Sequence, residues 1–135
     1  MTDRELIEKA LQARENAYTP YSHHKVGAAL LAAQGEVFTG CNIENAAFGP
    51  TVCAERTAIF KAVSEGRRDF VKIAVVGGPE GEVTDYCWPC GVCRQVMTEF
   101  CTPEFEIIAA INGGDYISAT LGELLPHSFS PENLK

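Results

Sequence analysis

Phe70-Val71-Lys72-Ile73-Ala74-Val75-Val76 is the stretch that decides the fold. An apolar run of this length, rich in β-branched residues, reads as a buried strand. Helical patterns lie on either side of it. Upstream, a helix is expected from about Cys53 to Glu65, with Ala54, Ala58, Ile59 and Ala62 along it. Gly66 follows where a helix C-terminal glycine belongs. Downstream, Gly77 to Trp88 reads as a loop, and a helix follows from about Gly91 to Phe100. Pro103 separates that helix from a further strand, Phe105 to Ile111.

Further out, Val26 to Leu31 and Glu36 to Cys41 read as two strands joined at Gln34-Gly35, which is a hairpin pattern. The first helix opens on Thr2-Asp3-Arg4-Glu5, with the spacing of a capping box. Leu6, Ala10, Ala13 and Ala17 share one side, with Ile7, Leu11 and Arg14 beside them. This predicts an amphipathic helix of about four turns that stops before Pro20. At the other end, Asn112-Gly113-Gly114 is a turn, Tyr116 to Ser118 a short edge strand, and Leu121 to Leu125 one helical turn. Helices interleaved with strands pack on the faces of a sheet. The expected fold is α/β, a three-layer α/β/α sandwich with a central mixed β-sheet, formed by residues 1–135 as one domain.

Charge narrows the partners. The formal net charge is -7, and Lys and Arg are scattered apart from Arg67-Arg68. Neutralising a polyanion needs clustered cations, so a small neutral substrate fits better than nucleic acid. No apolar run reaches the roughly 20 residues that span a bilayer, so no membrane partner is expected. The start, Met1-Thr2-Asp3-Arg4-Glu5, lacks the pattern of a signal peptide. A cytoplasmic location follows as an expectation, and the six cysteines then read as metal ligands or buried thiols.

Two segments carry the chemistry: Thr51-Val52-Cys53-Ala54-Glu55-Arg56 and Pro89-Cys90-Gly91-Val92-Cys93-Arg94. Each puts cysteine at the start of a predicted helix, where the dipole and free N–H groups favour a thiolate. Cys53, Cys90 and Cys93 are the candidate ligands of one Zn²⁺ per chain. Three protein ligands leave a fourth tetrahedral position for water, the arrangement of catalytic zinc. Glu55, two residues beyond Cys53, is placed to move protons beside that water. Ligand-x-Glu followed by Pro-Cys-x-x-Cys is the pattern of zinc deaminases. Three thiolates on one dication leave a net negative site, and Arg56 is the candidate that offsets it. A purely structural zinc would recruit Cys87 as a fourth ligand, and the run Cys87, Cys90, Cys93 also admits an iron–sulfur cluster. Neither accounts for Glu55. Cys41, Cys87 and Cys101 are read as buried or loop thiols.

These residues resemble the small, homotetrameric cytidine deaminases over nearly the whole chain. The matching blocks are Tyr18 to Ser22, Val26 to Leu30, Gly40 to Ala46, Cys53 to Ala58, Pro89 to Val96 and Glu123 to Pro126. The resemblance implies hydrolytic deamination of cytidine and 2′-deoxycytidine, with release of ammonia. It implies that Asn42 and Glu44 bind the ribose hydroxyls, that the backbone near Ala54 meets the base, and that Ala46 to Phe48 border the nucleoside. It further implies that Phe129 reaches into a neighbouring subunit of a homotetramer, with sites at subunit interfaces. Two positions depart from the pattern. His24 stands where many members stack a phenylalanine on the pyrimidine, and Trp88 stands where a serine often precedes the Pro-Cys-x-x-Cys motif. An alternative substrate is another aminopyrimidine, such as blasticidin S.

Overall fold

Residues 1–135 are described by a computed structural model. The elements run α1 (Asp3–Arg14), β1 (His24–Ala32), β2 (Val37–Cys41), α2 (Ala54–Ser64), β3 (Phe70–Pro79), α3 (Gly91–Phe100), β4 (Glu106–Asn112), β5 (Asp115–Thr120) and α4 (Leu121–Leu124). A 3₁₀ turn over Pro131–Leu134 closes the chain. The five strands form one sheet in the order β2-β1-β3-β4-β5. Only β3 and β4 run parallel, joined through α3; every other neighbouring pair is antiparallel. The sheet is therefore mixed, as expected.

Alternation along the central strands divides the core. Leu6, Ile7 and Ala10 of α1 pack with Ala29, Ala74, Val76, Ile108 and Ala110 on one face. Their neighbours in the strands, including Ala28, Leu30, Ile73, Val75 and Ile107, point to the other face and meet Ala58, Ile59, Ala62 and Met97 of α2 and α3. Each large aliphatic side chain so buried contributes roughly 1.5–3 kcal/mol. Two glycines let helices lie directly on the sheet. A Cβ at Gly27 would stand 2.1 Å from the Ala10 carbonyl oxygen of α1, and one at Gly40 would stand 2.6 Å from both Ala54 O and Ala58 N of α2.

Two boundaries differ most from the sequence reading. The strand before the long loop continues to Pro79, because β1 pairs with it as far as His24 opposite Pro79. Helix α1 ends at Arg14, about one turn short of Ala17 and well before Pro20. Its carbonyls at Gln12, Ala13 and Arg14 are taken by the N–H groups of Glu15, Asn16 and Ala17 in tighter bonds. The chain then turns away because Tyr18 pairs elsewhere: its N–H donates to Asn42 O at 3.0 Å, and its carbonyl accepts from Glu44 N at 2.9 Å. The capping geometry is also partial. Thr2 Oγ1 accepts from Glu5 N, but the reciprocal Glu5 bond is not formed; a complete box occurs instead at Thr120 and Glu123, ahead of α4.

Arg14 itself turns inward and is 5% exposed. Its Nε donates to Lys25 O at 2.9 Å, Nη1 to Gly81 O at 2.8 Å, and Nη2 to Gly78 O at 3.1 Å and Pro79 O at 2.7 Å. Four neutral carbonyls thus take the place of a carboxylate partner. They tie α1 to the start of β1 and to the exit of β3, at the head of the loop that carries Trp88 and Cys90.

Candidate active site

Two helix starts face each other across the α2 and α3 side of the sheet. Cys53 is the N-cap of α2 and Cys90 the N-cap of α3, and neither side chain is spent on a capping bond. Cys93 lies in the first turn of α3. The three sulfurs lie within 4.8 Å of one another, and Cys53 and Cys90 are 3.6 Å apart. Zn–S bonds of about 2.3 Å in a tetrahedron separate their sulfurs by roughly 3.8 Å, so this donor set fits zinc. Cys87 stands outside the group. Its sulfur packs against β3, where a Cβ at Gly77 would meet it at 2.8 Å. Burial pushes the Cys87 thiol up to about 11 and Cys101 up to about 12, as suits inert thiols.

The charge pattern around the sulfurs favours a thiolate. Cys53 is pulled down to about 5, first by hydrogen bonding from Cys93 and then by Arg56 and Cys90, against its burial. Cys93 is pushed up as the partner that keeps its proton. The Arg56 Nη2 donates to Cys53 Sγ at 3.3 Å, so the cation stands against the sulfurs it was expected to offset. Its Nε is buried without a partner. Glu55 sits in the first turn of α2 and is 3% exposed. Burial pushes its carboxyl up to about 7, with the Cys53 charge adding to the rise and its own backbone N–H and Arg56 opposing.

One cavity of about 330 Å³ joins these groups to the segments before them. Glu55, Cys53 and Cys90 line one part; Asn42, Glu44, Ser22 and His24 line another; Trp88, Cys87, Val26, Thr51 and Val52 complete it. The backbone explains the juxtaposition. Ile43 and Val52 form an antiparallel bridge with N–H···O bonds of 3.0 Å in both directions, while Tyr18 bridges to Ile43 in parallel. The strand end that carries Asn42 and Glu44 is thereby fastened beside the residue preceding Cys53.

Asn42 Oδ1 accepts from Val26 N at 2.9 Å, and Nδ2 donates to His24 O at 2.8 Å. An amide offers two lone pairs and two N–H groups, so one of each is left for a ligand. Glu44 Oε1 accepts from Tyr21 N at 3.0 Å and Ser22 N at 3.1 Å, and Oε2 accepts from the Ser22 hydroxyl. Its carboxyl is held below the usual range, first by that hydroxyl. Ala54 is fully buried at the head of α2, where its carbonyl faces Gly40. Ala46 and Phe48 are exposed; Phe48 stands edge-on to Tyr21 with ring centroids 6.2 Å apart, walling a second hollow that shares Ser22, Glu44 and Thr51 with the first. Phe129 lies away from the cavity of its own chain. Its ring is exposed, and its carbonyl accepts from Gln95 Nε2 at 2.8 Å.

Sequence reasoning assigned no role to two residues that shape this site. Ser22 sits among short polar loop residues, where nothing in composition separates it from a turn. Arg94 closes the cysteine motif; its Nε donates to Pro89 O and its Nη1 to Leu124 O, both at 2.7 Å. It braces the proline ahead of Cys90 against α4. A cation one residue beyond the last ligand was the available signal.

Comparison with known proteins agrees with this geometry. The model of the cytidine and deoxycytidylate deaminase zinc-binding region matches residues 1–109. A cytidine deaminase of Halalkalibacterium halodurans is 53% identical over 129 residues, covering 96% of this chain and 95% of that protein. The crystal structure of a cytidine deaminase from Burkholderia pseudomallei superposes with a TM-score of 0.87 at 50% identity, covering 96% of this chain and all of that one. A blasticidin-S deaminase of Bacillus cereus is more distant, at 34% identity over 95% of this chain and 92% of its own length.

Proposed function

This chain belongs to the zinc-binding cytidine and deoxycytidylate deaminase family, and on that premise we propose that it hydrolyses cytidine and 2′-deoxycytidine to uridine and 2′-deoxyuridine with release of ammonia. The observation that carries the reading is the single cavity in which a buried carboxyl and a zinc-compatible thiol cluster meet the pair Asn42 and Glu44. Cys53, Cys90 and Cys93 would hold the metal, and Arg56 would balance their charge. When bound, zinc supplies Lewis acidity and a more acidic water. Glu55 is placed to take a proton from the attacking water and give it to the ring nitrogen beside the amine-bearing carbon. That makes the carbon a better electrophile for the attacking oxygen. Glu55 then takes the remaining proton of the added hydroxyl and passes it to the amine, so that the carbonyl forms as the C–N bond breaks and ammonia leaves. Asn42 and Glu44 take the sugar hydroxyls, His24 stacks on the pyrimidine, and the backbone of Ala54 meets the base.

No Lys or Arg lines the cavity, while Glu44 and Glu55 do. A phosphate on the sugar would find repulsion and no counter-charge. The zinc-loaded protein is expected to deplete cytidine in an ultraviolet absorbance assay and to leave cytidine 5′-phosphate essentially unchanged. Turnover of blasticidin S with no turnover of cytidine would overturn this reading.

The homotetramer is part of the same proposal, with Phe129, Ala46 and Phe48 completing a neighbour's site. Its support is the set of exposed aromatic rings at Phe129, Phe48, Tyr18, Tyr21 and Phe60. Light scattering is expected to give four times 14.6 kDa; a monomer at micromolar concentration would remove this part of the proposal. No helix is long and apolar enough to cross a membrane. A cytoplasmic location, with residues 1–135 working as one domain, completes the proposal.

A further inference from the structure

We propose that Ser22 is a positioning residue for sugar recognition: its hydroxyl fixes the Glu44 carboxylate so that a single acceptor position remains for a sugar hydroxyl. This rests on the reading of Glu44 as a sugar ligand. A serine hydroxyl has one proton and two lone pairs. One lone pair of Ser22 Oγ accepts from His24 N at 3.0 Å, which leaves the proton for Glu44 Oε2. Oε1 is already held by Tyr21 N and Ser22 N. A carboxylate has about four acceptor positions, and three are filled by this one short segment.

The same segment sets the other hydroxyl-binding candidate. The His24 carbonyl accepts from Asn42 Nδ2, and Val26 N donates to Asn42 Oδ1. The N–H of His24 thus acts toward Glu44 through Ser22, while its C=O acts directly on Asn42. Both groups are oriented from one stretch of backbone, and Ser22 is the only side chain of that stretch in the relay.

The test compares variants of the zinc-loaded protein on two substrates. Ser22→Ala is expected to raise KM for cytidine about tenfold while kcat stays within about twofold, the size of one hydrogen bond to a charged group. Ser22→Thr, which keeps the hydroxyl, is expected to recover most of the loss. On 2′,3′-dideoxycytidine, which lacks both sugar hydroxyls of interest, Ser22→Ala is expected to change kcat/KM less than about twofold. In a Glu44→Gln background it is also expected to add little, because the two residues act as one unit. An equal loss on the dideoxy substrate, or full additivity with Glu44→Gln, makes the effect merely structural and overturns the proposal. If Ser22→Ala melts early, Ser22→Cys, which keeps the volume but is a weak donor, is compared with wild type on the two substrates and decides by the same criterion. If Glu44→Gln raises KM and Ser22→Ala does not, only the role of Ser22 falls. If Glu44→Gln leaves KM unchanged, the reading of Glu44 falls and that of Ser22 falls with it.

Discussion

Glu55→Gln is expected to lower kcat for cytidine about a thousandfold, with bound zinc and melting temperature unchanged. General acid–base catalysis by one placed group contributes roughly 10²–10⁴-fold, and here one carboxyl is asked to serve both halves of the reaction. The amide has the same shape and can still hydrogen-bond at a position only 3% exposed, but it cannot shuttle the proton. The carboxyl is buried at the head of α2, in a cavity whose other lining groups include thiols, one amide and an imidazole. Steady-state kinetics together with metal analysis check this. More than a tenth of wild-type kcat in a zinc-replete variant would remove Glu55 from its role.

Cys93→Ala is expected to abolish both zinc retention and activity. Cys93 is completely buried, and its sulfur is one of three that converge within 4.8 Å. Removing it leaves two ligands, one of them the exposed Cys90. Because metal binding adds to folding free energy, the melting temperature should fall toward that of chelator-treated wild type. Cys87→Ser and Cys101→Ser are the controls, since both thiols lie outside the converging group, and they should keep one zinc per chain. Stoichiometric zinc in Cys93→Ala would sink the three-cysteine site. Loss of zinc from Cys87→Ser would instead point to a site of four thiolates with no open position.

Much of this arrangement was legible in the sequence because it is local. Cys53 and Cys90 mark helix starts, and the helices that follow them lie within a residue of the expected bounds. Gly66 takes the left-handed conformation, with φ of 90°, expected of a residue just past a helix. What escaped depends on partners far along the chain. The end of α1 is set by the pairing of Tyr18 with residues 42–44, which no helical period encodes. Pro20 offered a plausible stop signal, but a long-range bridge acts before it. Ser22 escaped for a similar reason: a hydroxyl acquires a role only once Glu44, 22 residues later, is folded against it.

The buried Arg14 guanidinium has a consequence for the pace of unfolding. Three of its four acceptors, Gly78, Pro79 and Gly81, are 64 to 67 residues away, so those bonds need the end of β3 to be folded against α1. Contacts that form after the rate-limiting step leave the folding rate nearly untouched and act on the escape rate instead. If the Arg14 bonds are of that kind, Arg14→Lys is expected to speed unfolding more than it slows folding, which stopped-flow denaturant jumps measure. An unchanged unfolding rate would leave Arg14 as only a static brace at the junction that holds the Trp88 and Cys90 loop against the rest of the sheet.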